Sequence, residues 1–362
     1  MAAASPGPER RGAGARGRLR PRPAIEALTP YVPGRPAGSR DGSLASNESP
    51  LPTSAAVQRA LRAAGHDLNR YPDPLAGELR ARLGEELGVD PEQVLVGNGS
   101  DELIYLLVIA YAAGGGRVLC ADPPYRVHEI AALALGAEVV RVPLRDWAHD
   151  LEQMAGVEAE LAFIGNPHNP TGTALPREQL EHFLRTCRAR LVAVDEAYLD
   201  FCDDALAVSS IPLVASGRLV CLRTFSKIAG LAGARVGYMV GSVEIVAALR
   251  RFRPAFSVSS LAQAAALAAL ADDRRRQRLR RYTIRSRRRL AALFREHGYA
   301  SLPSQANFIL VLAPDEQRLV ERLAAAGISA RPGSTLGVPG AVRLSVPSPA
   351  GFELLERALA GS

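Results

Sequence analysis

The sequence contains few cysteines and histidines and no long apolar run. Its four cysteines, Cys120, Cys187, Cys202 and Cys221, are widely spaced and form no Cys-x-x-Cys pair. That pattern is typical of a reducing cytosol and argues against a thiolate metal site. The six histidines show no metal-ligand spacing either, so no metal site is predicted. No apolar run approaches the ~18 residues that a membrane helix needs. We therefore predict no membrane span and a cytoplasmic location.

Basic residues are concentrated in two segments of the chain. The 362 residues carry a net charge of +7, and residues 1–23 hold six arginines against one acid, Glu9. This segment is rich in Ala, Gly, Pro and Arg and has no apolar stretch of the kind found in signal peptides. Residues 1–25 are therefore predicted to form a disordered basic arm.

The second basic segment, residues 273–289, contains ten arginines. Its non-basic positions Leu279, Tyr282, Ser286 and Leu290 recur at helical spacing, which predicts a solvated helix with one buried stripe. Nucleic-acid binding is the alternative, but no aromatic residues interleave as base-stacking platforms would. We predict no nucleic-acid partner.

The middle of the chain alternates strand-like and helix-like patterns. Strand-like segments such as residues 117–125, with the strand ending at Tyr125, and residues 219–225 are separated by helical segments. This alternation predicts an α/β fold with a mainly parallel sheet covered on both faces. Shorter strand patterns after residue 305 predict a second, smaller layer. A chain of this length favours two domains, which we place at residues 51–254 and 255–362, preceded by an N-terminal segment at residues 26–50.

Four loops follow predicted strands, at the sheet edge where ligands bind in open α/β folds. The first is Gly97-Asn98-Gly99-Ser100-Asp101. Its small residues let backbone N–H groups approach an anion, and the helix that follows adds its dipole. This pattern predicts a phosphate site, although an ordinary capped helix start explains it equally well.

The next two loops carry an amide and a carboxylate. Residues 165–172, Gly-Asn-Pro-His-Asn-Pro-Thr-Gly, contain two rigid Asn-Pro steps that leave Asn169 to offer its amide to an aromatic oxygen. Asp195 ends an apolar strand and is followed by Tyr198. A carboxylate there is costly unless it meets a cation, such as a protonated ring nitrogen. The alternatives are a stiff turn and a helix-capping Asp.

The fourth loop contains Lys227, with Thr224 and Ser226 before it and Arg235 eight residues after it. A lysine amine becomes a nucleophile toward an aldehyde when its surroundings lower its pKa. The alternative is a surface lysine in a turn. Together the four loops describe one ligand, a phosphorylated aromatic aldehyde with a ring nitrogen and a phenolic oxygen, and pyridoxal 5'-phosphate (PLP) fits that description.

Motifs along nearly the whole chain beyond the arm resemble one family. They are TPYVPG, SNESP, RYPDP, GNGSDELI, NPHNPTG, VDEAY, the SK(x)7R spacing from Lys227 to Arg235, ANFIL, RPG and VRLSVPSP. The sequence resembles the PLP-dependent fold-type I aminotransferases, most closely the histidinol-phosphate aminotransferase family. This resemblance implies a mainly parallel seven-stranded sheet between helices in the large domain and a smaller α+β C-terminal domain.

The resemblance also implies a role for each matched residue. The implied catalytic residues are Lys227, which binds the PLP aldehyde and moves the α-proton, Asp195, which keeps the ring nitrogen protonated, and Tyr198. The remaining roles concern binding. Asn169 and Tyr198 hydrogen-bond the ring oxygen, and Tyr125 stacks on the ring. The phosphate is held by Ser100, Asp101, Ser226, Arg235 and more weakly Thr224. Tyr71 reaches the cofactor of a neighbouring subunit in a homodimer.

The implied substrate residues are Arg343, Arg331, Tyr31 and Asn169, since a guanidinium suits an anionic group bidentately. A strand-end arginine and a loop tyrosine are the alternatives for Arg331 and Tyr31. The sequence departs from the family at Ser49, in the loop at residues 122–124 and at residues 345–349. These departures leave the cofactor residues unchanged, but they leave the identity of the substrate open.

The leading function is transfer of an amino group from glutamate to a 2-oxo acid or phosphorylated ketone, with imidazole acetol phosphate as the leading acceptor. An aromatic or other amino-acid aminotransferase is a close alternative. A PLP-dependent decarboxylase of a phosphorylated amino acid, of the threonine-phosphate type, shares these motifs. A different class is a regulator that uses the fold as a ligand sensor and the basic arm as a nucleic-acid binder, although the arm is too short for a helix-turn-helix domain.

Overall fold

The computed structural model describes residues 20–26, 28 and 34–360, which form two β-sheets covered by helices. The strands of the large sheet are β1 Val94–Gly97, β2 Arg117–Asp122, β3 Glu138–Pro143, β4 Ala159–Gly165, β5 Ala189–Asp195, β6 Leu219–Thr224 and β7 Gly237–Val240. The strands of the small sheet are β8 Ala300–Ser301, β9 Phe308–Leu312, β10 Arg331–Pro332 and β11 Ala341–Ser345. The α-helices are α1 Pro23–Glu26, α2 Ala55–Ala64, α3 Gly77–Leu87, α4 Gly99–Tyr111, α5 Arg126–Ala134, α6 Leu151–Ala155, α7 Arg177–Thr186, α8 Val243–Arg250, α9 Ser260–Leu270, α10 Asp273–Glu296, α11 Glu316–Ala325 and α12 Pro349–Ala360.

The large sheet has the strand order β1-β7-β6-β5-β4-β2-β3. β3, β2, β4, β5 and β6 run parallel, and β7 is antiparallel to both of its neighbours, β6 and β1. The central strands are continuous apolar runs, because helices bury both faces of the sheet. Separate clusters of buried apolar side chains pack on the two faces. The predicted mainly parallel seven-stranded sheet is confirmed.

The direction of the strands brings the predicted loops together. Because β7 is antiparallel to both β1 and β6, β1 points the same way as the parallel strands. The carboxyl ends of β1, β2, β4, β5 and β6 therefore meet at one edge of the sheet, where ligands bind in open α/β folds. The loops after these strands contain Ser100, Tyr125, Asn169, Asp195 and Lys227.

The small sheet is antiparallel, with the order β10-β11-β9-β8. Its buried side chains pack with α10, α11 and α12. The N-terminal segment joins this unit, because the Leu44 amide donates to the Ser329 carbonyl and the Leu44 side chain is buried in the same cluster. The register of the sheet places Arg331 opposite Arg343.

Helix α9 belongs by its packing to the large sheet. Ala262, Ala265, Ala266 and Leu270 are buried in the apolar cluster that covers one face of that sheet. An Ala-rich helix packs closely because its small side chains let the backbones approach. We therefore propose that the small domain begins after α9, some fifteen residues beyond Pro254.

Several local predictions are corrected by the structure. The strand expected to run to Tyr125 ends at Asp122, and Tyr125 is the residue that precedes α5. In α10, Thr283 is buried while Tyr282 is only half-buried. Arg287 on the same helix is buried rather than solvated. Its guanidinium donates to the carbonyl oxygens of Phe201 at 2.9 Å and Ala306 at 3.0 Å, which offsets the cost of burying its charge. Among the described residues, no helix is long and apolar enough to cross a membrane.

Candidate functional site

A cavity of 330 Å³ opens at the carboxyl edge of the large sheet. It brings together the predicted cofactor residues of every strand-end loop. These are Ser100, Asp101, Tyr125, Asn169, Asp195, Tyr198, Thr224, Ser226, Lys227 and Arg235. The residues come from five different loops, so their meeting follows from the parallel arrangement of the strands rather than from nearness in sequence.

Lys227 lines this cavity. Its Nζ donates to the Asn47 carbonyl oxygen at 3.1 Å and lies 5.5 Å from the centre of the Tyr198 ring. It is also the only lysine in the sequence, which has 44 lysines and arginines in total. A sequence that uses arginine almost everywhere else has retained lysine at this one position. This count is a signal that the motif analysis did not use.

The Asp195 carboxylate lies at the end of β5 and is buried. Its Oδ1 accepts a hydrogen bond from the Ala197 amide at 3.0 Å, while Oδ2 lies 3.6 Å from Nε2 of His128. This contact is a turn to the amide two residues further on and not a helix cap, because the helix at Leu199–Phe201 has Tyr198 as its N-cap. The carboxylate also lines the cavity. A buried carboxylate in this position favours a cationic ligand group.

His128 is a site residue that the motif analysis missed. Its ring stacks on Phe163, with centroids 4.2 Å apart, and meets Tyr125 edge-on at 5.2 Å. Within the described part of the chain, its Nε2 has no hydrogen-bond partner. The sequence could have indicated His128 by its position three residues after Tyr125, because residues three apart lie on the same face of a helix.

Asn47 is a second residue that sequence reasoning missed. Its side-chain amide donates to the Tyr198 hydroxyl at 3.0 Å, and its carbonyl accepts from Lys227 and from Asn307. Its φ of +54° lies in the left-handed region, which asparagine tolerates better than most residues. Asn47 belongs to the SNESP motif, but its contact with Tyr198 could not be inferred from that motif.

The end of the cavity beside α4 is built to hold an anion. The helix begins at Gly99, so the first backbone N–H groups of α4 are free of intrahelical partners. Gly99 has a φ of +75°, and a Cβ on it would lie 2.5 Å from Nη2 of Arg235. The Arg235 guanidinium donates to Asp101 Oδ2 at 3.2 Å, and the Ser226 hydroxyl accepts from Thr224 at 2.9 Å.

This cradle fits a phosphate monoester, because it offers backbone amides, hydroxyl groups and a guanidinium, and Gly99 adds no side chain between them. The Tyr125 hydroxyl donates to Asp101 Oδ1 at 3.2 Å across the same end of the cavity. Burial raises the pKa of Tyr125 well above its ordinary value, and the neighbouring Asp101 carboxylate adds to the effect. Tyr125 is therefore neutral and available as a ring for stacking.

Arg331 and Arg343 line a smaller chamber of 150 Å³ beside the main cavity. The two spaces share Tyr125, Asn169 and Lys227 in their walls. Arg343 Nη1 donates to Asn169 Oδ1 at 2.6 Å, and its Nη2 donates to the Ala45 carbonyl at 2.8 Å. The small domain therefore contributes cationic groups directly beside the lysine.

The predicted cofactor residue Tyr71 does not line the cavity. Tyr71 is 82% exposed, and its ring stacks on Phe256 with centroids 4.6 Å apart. Tyr31 lies outside the described residues. In the part of the chain that the structure describes, no three His, Cys, Asp or Glu side chains are grouped so that they could hold a metal ion.

Comparison with known proteins agrees with this geometry. Residues 42–359 match the family described as aminotransferase class I and II. The chain is 37% identical over 353 residues to the histidinol-phosphate aminotransferase of Moorella thermoacetica, with 93% of this chain and 92% of that protein covered. It is 38% identical over 343 residues to histidinol-phosphate aminotransferase 2 of Pseudomonas aeruginosa, with coverage of 90% and 93%.

A solved structure gives the same result. The crystal structure of histidinol-phosphate aminotransferase from Sinorhizobium meliloti, in complex with pyridoxal-5'-phosphate, superposes with a TM-score of 0.85 at 28% identity. The similarity covers 96% of this chain and 98% of that one. Since the family match spans nearly all of the described residues, the chain belongs to the class I and II aminotransferases.

Proposed function

We propose that this protein is a PLP-dependent aminotransferase that moves an amino group between glutamate and a phosphorylated ketone, with histidinol phosphate as the amino form of that ketone. The observation that carries the proposal is the position of Lys227, the only lysine of the chain, between a buried carboxylate and an anion cradle. The arginine chamber beside it suits a phosphorylated substrate. The names of relatives at 37% and 38% identity support the same substrate.

The residues of the main cavity would hold PLP at each of its polar groups. Asp195 would face the ring nitrogen, Tyr198 and Asn169 the ring oxygen, and Tyr125 the ring face. The phosphate group would be held by Ser100, Asp101, Ser226 and Arg235, with Thr224 supporting Ser226. When bound, PLP supplies an electron sink for the bond that breaks at the substrate's α-carbon.

The Lys227 amine does two tasks in this proposal. It would carry the aldehyde of the cofactor, and its Nζ, when free, would move the proton at the α-carbon of the substrate. The carbonyl oxygens of Asn47 and Ser46 hold Nζ at 3.1 and 3.4 Å. Because both are acceptors, they orient the amine without competing for its lone pair.

The chamber residues Arg331 and Arg343 would receive the anionic end of the substrate. Their opposed positions on β10 and β11 let two planar guanidinium groups face one phosphate or carboxylate. Asn169 accepts from Arg343 and lines the cofactor cavity as well, so it couples the two spaces. Tyr31 remains a predicted substrate residue.

We also propose that the enzyme is a homodimer. Leu68, Tyr71, Leu75, Phe252 and Phe256 are large apolar side chains that are each at least 39% exposed. Such a surface is costly unless a partner covers it. A second copy is the partner we propose, because Tyr71 of that copy would then reach the cofactor phosphate.

Mixing two inactive variants tests the dimer. Tyr71→Phe and Lys227→Ala holoenzymes, unfolded and refolded together, give mixed dimers with one site that has both an intact Lys227 and an intact Tyr71. We expect activity to return on mixing and the protein to sediment as a dimer. Sedimentation as a monomer, or no recovery from the mixture, would contradict the proposal.

A cytoplasmic location is part of the proposal. Among the described residues all four cysteines are free and buried. Burial raises the pKa of Cys120 and of Cys202 to about 12. These thiols are therefore protonated at neutral pH, and they suit a reducing compartment in which disulfides do not form.

A covalent trapping experiment tests the function. Treatment of the holoenzyme with borohydride fixes the cofactor on the amine that carries it, and peptide mass spectrometry identifies that amine. We expect the label on Lys227 alone, since the sequence contains no other lysine. Lys227→Ala is the matched variant and should show no label and no absorbance of lysine-bound cofactor.

The substrate is tested in the same preparation. Histidinol phosphate, glutamate and aromatic amino acids are added separately, and the absorbance of the lysine-bound cofactor is followed. Loss of absorbance with both histidinol phosphate and glutamate, with formation of the matching keto products, supports the proposal. Release of CO₂ without a keto product would identify a decarboxylase instead. A response only to aromatic amino acids would overturn the substrate assignment and leave the transaminase assignment intact.

A further inference from the structure

The chamber beside the cofactor cavity has an unusual excess of positive charge. Arg126, Lys227, Arg331 and Arg343 line its 150 Å³, and none of the described residues in its wall is a carboxylate. The remaining wall is formed by neutral residues such as Asn47, Tyr125 and Leu336. A small space with several cations and no anion in its wall favours a ligand that carries more than one negative charge.

Arg126 is the one chamber cation among the described residues that no motif in the sequence singles out. It is the first residue of α5 and follows Tyr125 directly. The Arg126 side chain is 32% exposed, and its Nη1 donates to Glu129 Oε2 at 2.6 Å. Because Tyr125 and Arg126 both line the chamber, the helix start places the arginine beside the ring that flanks the cofactor space.

The charge of Arg126 is only partly offset by Glu129. The Glu129 side chain is 3% exposed and also pairs with Arg141 from β3. One carboxylate therefore serves two guanidinium groups, and the trio keeps one net positive charge. Arg141 is 46% exposed and does not line the chamber. The two arginines share one partner and differ in whether they reach the substrate space.

We propose that Arg126 is a specificity-determining residue that selects substrates ending in a phosphate monoester over those ending in a carboxylate or a hydroxyl group. A phosphate monoester carries a charge of about −1.5 to −2 at pH 7 and offers three acceptor oxygens. Arg331 and Arg343 suffice for a carboxylate, and Arg126 adds the donor that a second negative charge requires. This inference rests on the proposed function, because it treats the chamber as the substrate site.

The test compares Arg126→Gln with Arg141→Gln in the holoenzyme. The measured quantity is the ratio of kcat/KM for histidinol phosphate to kcat/KM for histidinol, which lacks the phosphate. A lost hydrogen bond to a charged group lowers this ratio by about 10- to 100-fold in Arg126→Gln. Arg141→Gln removes the other partner of Glu129 and should leave the ratio within about 3-fold of wild type, since Arg141 does not line the chamber.

Equal losses in both variants would show that the effect passes through Glu129 and would overturn the proposal, as would an unchanged ratio in Arg126→Gln. Arg126→Lys keeps the charge and loses the planar fork, so it should recover part of the ratio. If Arg126→Gln does not fold, as seen by circular dichroism, Arg126→Lys carries the test. A lysine variant with an unchanged ratio would then count against the proposal.

Inhibition by inorganic phosphate separates this inference from the proposed substrate. Inorganic phosphate should compete with glutamate in the wild-type holoenzyme and compete about 10-fold more weakly in Arg126→Gln. If histidinol phosphate is not a substrate but this difference appears, the substrate assignment fails and the role of Arg126 stands. If phosphate inhibits both proteins equally, Arg126 does not select a phosphate group.

Discussion

Gly99 allows a sharp test of the anion cradle, because its substitution displaces one defined side chain. Its φ is +75°, and a Cβ would lie 2.5 Å from Nη2 and 3.2 Å from Cζ of Arg235. Ordinary van der Waals contact begins near 3.4 Å, so in Gly99→Ala the guanidinium must move by about 1 Å. The guanidinium is the far end of the flexible Arg235 side chain, so the fold can accommodate that shift. The position from which Arg235 would donate to a phosphate is lost.

The expected magnitudes of the two effects differ. An alanine in the left-handed region costs about 1–2 kcal/mol in the free energy of unfolding. Loss of a hydrogen bond between the guanidinium and a phosphate costs a further 1.5–3 kcal/mol of cofactor binding, which raises the Kd for PLP by about 10- to 150-fold. The stability effect belongs to the backbone, and the affinity effect belongs to Arg235.

Gly88→Ala is the matched control. Gly88 has a φ of +67° at the end of α3, and no atom lies within 4 Å of the position of its Cβ. Both variants therefore carry similar backbone strain, and only Gly99→Ala displaces an arginine. The assay titrates PLP into cofactor-free protein and follows absorbance, with urea unfolding of each variant in parallel. A Kd for Gly99→Ala within about 2-fold of the Gly88→Ala value would refute the assignment of Arg235 to the phosphate.

Two further predictions concern stability. The Glu196 carboxylate is buried and accepts hydrogen bonds from Arg223 Nε at 3.0 Å and Nη2 at 2.7 Å, and from the Ser209 hydroxyl at 3.1 Å. Because it breaks a buried ion pair, Glu196→Gln should lower the free energy of unfolding by about 3–5 kcal/mol. Glu181→Gln, which breaks a more exposed pair, should cost less than about 1 kcal/mol in the same urea titration, and equal costs would contradict the argument. Burial lowers the pKa of His149 to about 4 from the usual 6.5. As the pH falls, the unfolded chain therefore binds this proton at a higher pH than the folded protein does. The contribution of His149 to the free energy of unfolding is therefore fully present above pH 6.5 and falls by about 3 kcal/mol as the pH drops to 4. In His149→Gln this part of the pH dependence of urea unfolding should disappear.

The sequence predicted most of the side chains that line the cavity, because they lie at or a few positions beyond the carboxyl end of an apolar strand. Asp195, Asn169 and Lys227 belong to different loops, yet parallel strands bring their carboxyl ends to one edge of a sheet. The alternation of strands and helices is therefore enough to predict that these loops meet. No pairwise contact had to be known in advance.

The sequence was less informative where packing competes with local pattern. Helix α9 was assigned to the small domain, but its alanines are buried against the large sheet. Arg287 belongs to a run of arginines and is nevertheless buried, because two backbone carbonyls accept from it. Neither outcome follows from periodicity, since both depend on which surface lies opposite the helix.

The amino-acid sequence by itself determined the fold class, the family and the set of side chains at the strand ends, because these depend on short-range spacing repeated along the chain. Tertiary structure alone decided that Asn47 bonds Tyr198, that His128 lies beside Asp195, and that Arg126 and Arg343 line one chamber. Each of these pairs joins elements far apart in sequence. The contacts of Asn47 and Arg343 are set by the packing of the N-terminal segment and the small domain onto the sheet edge, and that of His128 by the packing of α5 on the large sheet. No local pattern encodes this packing.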